Sequence, residues 1–178
     1  MRFDYVIVGG GSAGSTLAAR LSEDPGTTVC LLEAGGKGDS LLVRTPAAVV
    51  AMLPGRPKIN NWAYETIPQA GLNGRKGYQP RGKALGGSSA INAMLYVRGQ
   101  AADYDGWAQM GARGWSWDDC LPYFKKAETW IDGGDEYRGG EGPLHTNNGN
   151  RMQNPLYSAF VEAGKQAGYL ETADYNGR

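Results

Sequence analysis

No run of this sequence is apolar for long enough to cross a bilayer, and the opening residues MRFDYVIVGG hold neither the basic segment nor the apolar core of a secretory leader. A cytoplasmic protein is the expectation. Peripheral attachment to the inner face of a membrane stays open, because it would leave no such mark. Net charge is also missing: 18 Lys and Arg balance 18 Asp and Glu. No basic surplus exists to neutralise a phosphate backbone, so no nucleic-acid partner is expected. Cysteine is scarce. Cys30 and Cys120 stand far apart, without metal-ligand spacing, and are expected as reduced, buried thiols. Asp103, Asp105, Asp118 and Asp119 sit in helix-start contexts without a converging third ligand, so they are read as caps and no metal site is assigned. Histidine is reduced to His145, in the turn-and-strand context Gly142-Pro143-Leu144-His145. It has no acidic or nucleophilic partner at readable spacing, so it is read as structural and partly exposed, and no catalytic residue is assigned to this chain.

What the sequence has in excess is glycine, 28 of 178 residues, scattered without a period. That distribution implies tight turns and close backbone approaches, not a linker or a collagen-like repeat. The length suits one domain, or part of one. Tyr5-Val6-Ile7-Val8 ends at three glycines and predicts a strand buried on both faces. Ser12 to Glu23 predicts a helix, with Leu17 and Leu21 on one face and Pro25-Gly26 as its stop. Val29-Cys30-Leu31-Leu32 predicts a second buried strand, parallel to the first by the crossover rule. Further along, Thr45-Pro46 predicts the cap and first residue of a helix to about Leu53. Trp62 to Ile67 followed by Asn73-Gly74 predicts a strand and tight turn, and Gly86-Gly87-Ser88-Ser89 predicts another helix start. Ser116 is placed as the cap of Trp117 to Glu128, kinked at Pro122. Asn154-Pro155 opens a helix whose Leu156, Phe160, Ala163 and Ala167 share a face until Gly168. Trp107, Trp115, Trp117 and Trp130 follow no single helical face and are read as core and interface packing.

Gly9-Gly10-Gly11-Ser12-Ala13-Gly14 has the spacing G-x-G-x-x-G. Gly9 permits the sharp turn out of the strand, Gly11 lets backbone approach a pyrophosphate, and Gly14 lets the helix pack closely on the sheet. The helix start at Ser12 and Ala13 offers unpaired N–H groups and partial positive charge to phosphates. In a chain this rich in glycine the spacing alone is not diagnostic, but its place between strand and helix is. Glu33, ending the second strand, can accept hydrogen bonds from a ribose diol and would repel a 2′-phosphate. Two ligands remain open on these grounds, FAD and NAD.

A second glycine-rich turn, Gly82-Lys83-Ala84-Leu85-Gly86-Gly87-Ser88-Ser89-Ala90-Ile91-Asn92, leads into a helix start with Arg81 or Lys83 near enough to supply charge. With Tyr96, Gly99 and Asp105 at their spacing, it resembles the first signature of the glucose-methanol-choline oxidoreductases, flavoenzymes that oxidise alcohols. Glu33-Ala34-Gly35, Asn61-Trp62, Pro80-Arg81-Gly82, Asp103-Tyr104-Asp105 and Leu121-Pro122-Tyr123-Phe124 follow in the order expected of that family's bacterial alcohol and choline dehydrogenase-like members.

The resemblance implies an α/β, Rossmann-like FAD-binding domain of the glutathione-reductase type, incomplete over residues 1–178, with the rest of that domain and the substrate domain absent. It implies FAD with its adenosine end over Gly9 to Glu33, including Ala34, and its isoalloxazine ring beside Asn92, Ala93, Met94 and Leu95. Trp62, Arg81, Gly86, Gly87 and Ser88 are placed near the cofactor. Members that attach flavin covalently do so through a histidine whose position falls at Ile91 here, so non-covalent FAD is expected. The implied reaction is oxidation of an alcohol, expected to be primary, to an aldehyde by hydride transfer to flavin N5, with electrons passed to a quinone, dye or O2. The family's base is a histidine far beyond this sequence, so an N-terminal fragment without activity of its own is expected. A lyase, a light-driven decarboxylase and a non-catalytic FAD-binding module are the alternatives within the same fold.

Overall fold

The computed structural model describes residues 1–54, 58–149 and 154–177, and the chain divides into two compact units, Met1–Leu95 and a second from Tyr96 onward. The first unit opens with β1 (Tyr5–Val8), α1 (Ser12–Leu21) and β2 (Val29–Leu32), with β1 and β2 parallel in the register Tyr5↔Val29 to Val8↔Leu32. The four-residue apolar runs fall where the sequence places them, and the helix ends two residues before the expected Glu23. Asp4 fastens the entry to this unit. Its carboxylate accepts from the Thr28 backbone N–H at 2.8 Å and the Thr28 hydroxyl at 2.7 Å, which hold its pKa below the usual value.

Burial departs from expectation. Val6 and Val8 are exposed, Ile7 is half-buried, and no residue of α1 is buried. A two-stranded sheet with one helix against it has too little surface to cover both faces of either strand, whatever the strands' own apolarity. Cys30 and Cys120 are correspondingly half-buried free thiols, not buried ones.

The rest of the unit is short pieces: α2 (Leu41–Arg44), α3 (Val49–Met52), β3 (Tyr64–Glu65) and β4 (Tyr78–Gln79). The helix expected from Pro46 to Leu53 is a 3-10 turn over Pro46–Ala48 followed by α3, and Thr45 makes no side-chain capping bond. The strand expected over Trp62 to Ile67 pairs only at Tyr64 and Glu65, because Ala63 takes a left-handed φ of 49° that breaks extended geometry before it. Asn73 and Gly74 both have positive φ, 53° and 75°, as a tight turn of this type requires. The expected helix start at Gly86 is a single 3-10 turn, Gly87–Ala90. Buried residues of this unit are few among those described: Gly10, Met52, Asn61, Ala84, Gly87 and Ile91.

The second unit contains α4 (Ala101–Gln109), α5 (Trp117–Ala127), β5 (Glu128–Trp130), β6 (Leu144–Thr146) and α6 (Pro155–Gln166), with β5 and β6 parallel. Reciprocal capping starts α5: the Ser116 hydroxyl accepts from the Asp119 N–H, and the Asp119 carboxylate accepts from the Ser116 N–H. Asp103 caps α4 by accepting from the Gln100 N–H at 2.9 Å. Asp105 caps not its own helix but the next, accepting from the Trp117 N–H at 3.0 Å. The helix runs through Pro122 to Ala127. Tyr104 gathers the aromatics, with Trp107, Trp117 and Phe124 ring centroids 5.3, 5.5 and 5.7 Å away. Trp107 and Trp115 share that cluster while staying half exposed. His145 lies in β6 and is exposed, where partial exposure is expected.

At the start of β5 the second unit buries charge. Glu128 has no exposed surface and bonds Arg98 at 2.6 Å and Arg138 at 2.7 Å, both arginines being buried themselves. The Thr146 hydroxyl donates to it at 2.6 Å. Arg138 is also gripped by both oxygens of Asp174 at 2.7 and 2.6 Å, and its guanidinium lies 4.3 Å from the Trp130 ring centroid. Asn176 completes the arrangement, accepting from the Arg98 N–H at 2.8 Å and donating to the Tyr96 carbonyl at 2.8 Å. No described buried side-chain polar atom lacks a partner. Full satisfaction is the condition under which buried ions are tolerated.

Candidate cofactor site

The two glycine-rich turns, far apart in sequence, form one surface in the first unit. Gly86 N–H donates to the Gly10 carbonyl at 2.7 Å, Gly11 and Gly86 pair as an isolated bridge, and the Ser12 and Ser89 hydroxyls are hydrogen-bonded. Their approach requires missing side chains: a Cβ on Gly87 would stand 2.8 Å from the Gly11 Cα, and one on Gly82 would stand 1.9 Å from the Gly87 carbonyl oxygen. Gly14 has the same reason, since its Cβ would fall 1.9 Å from the Gly9 carbonyl oxygen. Gly11 differs. Its φ of −77° is open to any residue, and a Cβ there would meet nothing nearer than the Gly87 Cα at 3.8 Å. Among the described residues nothing requires glycine at Gly11, so what a side chain there would obstruct is the space beyond.

Glu33 sits at the end of β2, one of its oxygens directed at the first glycine turn and the other at the backbone just after itself. One accepts from the Gly10 N–H and the other from the Gly35 N–H, each at 2.8 Å. The carboxylate therefore ties the first turn to the strand end and its following bend while retaining lone pairs for another donor. Gly36 pairs with Ala84, and Leu85 N–H donates to the Gly36 carbonyl at 2.9 Å, so residues 84–86 run along the same edge.

A cleft of about 650 Å³ opens over this surface, within the usual range for a cofactor site. Of the residues expected near a cofactor, Gly9, Gly11, Glu33, Ala34, Trp62, Arg81, Gly87 and Ser88 line it. Ser12, Ala13, Gly14 and Gly86 shape the turns beneath without lining it. Asn92 and Met94 line a separate, smaller cavity of about 80 Å³ with Ala90, Pro46, Val49 and Met52, whereas Ala93 and Leu95 line neither. Met94 has φ of 60°, uncommon for a residue with a side chain, and its N–H donates to the Asn92 side-chain oxygen at 2.8 Å.

Four lining residues escape the sequence reading: Val8, Leu32, Tyr64 and Gly82. Val8 and Leu32 end the two parallel strands, where ligands of open α/β sheets sit, so strand polarity is signal enough to find them. Gly82 lies inside the second glycine-rich motif. Tyr64 has no such signal. Its ring stacks on Trp62 with centroids 5.6 Å apart, and the Lys83 ammonium stands 4.3 Å from the same indole centroid. Trp62 is thus partly engaged by the protein itself. Among the described residues no cluster of His, Cys, Asp and Glu can hold a metal ion, and no helix is long and apolar enough to cross a membrane.

Comparison with known proteins gives a consistent picture. The family model described as GMC oxidoreductase matches residues 3–178. The chain is similar to the oxygen-dependent choline dehydrogenase of Vibrio vulnificus (strain YJ016), with 56% identity over 176 residues, 98% of this chain and 31% of that protein. It is similarly related to the protein of the same name in Pseudomonas fluorescens (strain Pf0-1), 56% identical over 178 residues, 98% of this chain and 31% of that protein. Among solved structures, pyridoxine 4-oxidase from Mesorbium loti is 44% identical with a TM-score of 0.85, over 93% of this chain and 32% of that one. A formate oxidase from Aspergillus oryzae RIB40, in a structure concerned with FAD modification, is 34% identical with a TM-score of 0.84, over 98% and 32%. The chain spans about 31% of the length of the first of these relatives.

Proposed function

Because this chain belongs to the GMC oxidoreductase family, we propose that its first unit holds FAD non-covalently for the oxidation of an alcohol. The observation that carries the reading is the free space over Gly11. Gly14, Gly82 and Gly87 are glycine because the protein fills the room a Cβ would take, while Gly11 faces the cleft and is glycine for no reason inside the protein. A pyrophosphate against that backbone supplies the reason.

The residues present fit the group. Gly9, Gly11, Ser12, Ala13 and Gly14 offer the turn and helix start to its phosphates, and Glu33 with Ala34 meets the adenosine ribose. Trp62, Arg81, Gly87 and Ser88 close the opposite side over Gly86, and Asn92, Ala93, Met94 and Leu95, which lie outside the cleft, are assigned the isoalloxazine end. FAD, when bound, supplies two-electron oxidation of an alcohol carbon to the aldehyde, with electrons passed on to O2, a quinone or a dye. This chain's share is to bind and orient. Its one histidine, His145, lies exposed in β6, so it is not proposed as the base. Ile91, 2% exposed, has no atom that bonds covalently to a flavin. The choline dehydrogenases and the pyridoxine oxidase among its relatives make a small hydroxyl-bearing amine the substrate class to try first.

The test is anaerobic addition of choline or pyridoxine to the complete purified protein carrying bound flavin. Bleaching of the yellow spectrum supports the reading, and a spectrum unmoved by any alcohol overturns the activity. Acid precipitation is expected to leave the flavin in the supernatant; colour retained in the pellet overturns the non-covalent attachment.

A further inference from the structure

Between the two cavities of the first unit stands the side chain of Asn61, which lines neither. It is 3% exposed. Its Nδ2 donates to the Met52 carbonyl at 2.9 Å and to the Tyr78 hydroxyl at 3.0 Å, and its Oδ1 accepts from the Ala63 N–H at 2.9 Å and the Arg81 N–H at 3.2 Å. A primary amide has two donor hydrogens and two lone pairs, so the capacity of this one is fully used. Its partners come from four segments: the end of α3, β4, the residue after Trp62, and the residue before Gly82. Two of the four bear directly on the cleft, since Arg81 lines it and Ala63 fixes the backbone that carries Trp62. A third, Met52, lines the smaller cavity with Asn92 and Met94.

The backbone alone would bring these segments together. Trp62 N–H donates to the Arg81 carbonyl at 2.9 Å and Lys83 N–H to the Asn60 carbonyl at 2.8 Å. What that ladder leaves open is the direction in which Trp62 and Arg81 leave it. Asn60 and Ala63 flank the Asn61-Trp62 pair with φ of 50° and 49°. Residues with side chains stay in that region only when surrounding contacts hold them there. The bond from Ala63 N–H to Asn61 Oδ1 is such a contact, an Asx turn that stabilises the left-handed residue it closes on. The Tyr78 hydroxyl, which also donates to the Leu53 carbonyl at 2.6 Å, locks the amide from the other side.

We propose that Asn61 is a positioning residue of the cofactor cleft, its amide fixing Trp62 and Arg81 toward the adenosine and pyrophosphate end of FAD. This rests on the reading that the cleft holds FAD. Asn61 touches no ligand itself and acts through its two neighbours.

The experiment is a double-mutant cycle on the complete protein, stripped of flavin and titrated with FAD, the dissociation constant being read from quenching of flavin fluorescence. Asn61→Ala is expected to weaken FAD binding at least tenfold, and Trp62→Phe about threefold. If Asn61 acts through Trp62, the double variant loses clearly less than the product of the two, because a tryptophan already absent has no direction to lose. Multiplicative losses overturn the proposal, since general loosening of the fold would act independently of Trp62. An unchanged affinity in Asn61→Ala overturns it as well. Should Asn61→Ala fail to fold, Tyr78→Phe removes one partner of the amide and takes its place in the cycle: a loss smaller than the product supports the proposal, and a multiplicative loss or an unchanged affinity overturns it. A wild-type protein that takes up no FAD is a different result: it overturns the cofactor reading, and this inference falls with it.

Discussion

Where the first unit brings Gly11 against Gly87, backbone meets backbone with no side chain between; where the second brings Arg98 and Arg138 onto Glu128, charged side chains do most of the joining. The two solutions fail differently. A contact made of bare backbone has no tolerance for a carbon added at Gly87, where it would stand 2.8 Å from the Gly11 Cα, yet it is indifferent to protonation. A contact made of ions tolerates small changes of shape but depends on Glu128, because removing it leaves buried Arg98 without an anionic partner and Arg138 with Asp174 alone. The first kind suits a surface that must receive a polyanion. The second suits a joint that ties together residues 98, 128, 138, 146 and 174, which share no stretch of sequence.

The comparison breaks most visibly at Glu128. Glu128→Ala leaves the buried Arg98 without an anionic partner and Arg138 with Asp174 alone, and should destabilise the second unit by about 3–5 kcal/mol. Urea unfolding followed by far-UV circular dichroism measures it. A loss below about 1 kcal/mol would mean that water reaches the arginines and that the joint is not built from buried charge.

Glycine substitutions in the first unit come next and sharpen the contrast between protein-facing and ligand-facing positions. Gly14→Ala drives a Cβ into the Gly9 carbonyl and should cost about 1–3 kcal/mol of stability. Gly11→Ala has room in the protein, so its unfolding midpoint should stay within about 0.5 kcal/mol of wild type, while FAD affinity falls at least tenfold. Equal stability losses for the two variants would refute the assignment of Gly11 to the ligand.

The smallest effect is a titration. Hydrogen bonds from Arg138 hold the Asp174 carboxyl below its ordinary pKa. A depressed native pKa adds stability that is complete above the unfolded value, about 3.9, and disappears as pH falls through the lower native value. Stability measured from pH 6 down to pH 3 should therefore decline less steeply in Asp174→Asn than in wild type, with the neutral-pH stability of the variant lower by about 1–2 kcal/mol. Parallel slopes would show that Asp174 titrates alike in folded and unfolded chains.

Local features are the legible ones. Tyr5–Val8 and Val29–Leu32 are runs of four apolar, mostly branched residues bounded by glycine or turn residues, and they form strands within those bounds. Ser116 and Asn154 both accept the backbone N–H groups that their positions imply. The exposure of Val6 and Val8 belongs to a two-stranded sheet in a chain that spans about 31% of its relatives' length, so it does not count against the strands' composition. The cleft is half legible: each glycine turn can be read by itself, but nothing in either says that it packs on the other. Glu128 reads in sequence as the last residue of a helix, although it opens β5 and anchors the ion network. Its partners lie at 98, 138 and 146, beyond any periodicity, so no window of sequence holds the pattern.

The contact between the glycine turns also orders events in time. Ser12 and Ser89, hydrogen-bonded across it, are 77 residues apart. At about 5–20 residues per second of synthesis, roughly 4–15 s pass between the appearance of one and the other. Once Leu32 has been made, β1, α1 and β2 have a glycine turn but no opposing wall until Gly82 to Ser89 follow. The cleft over Gly11 therefore cannot be complete until the second turn has been made, long after the residues of β1, α1 and β2.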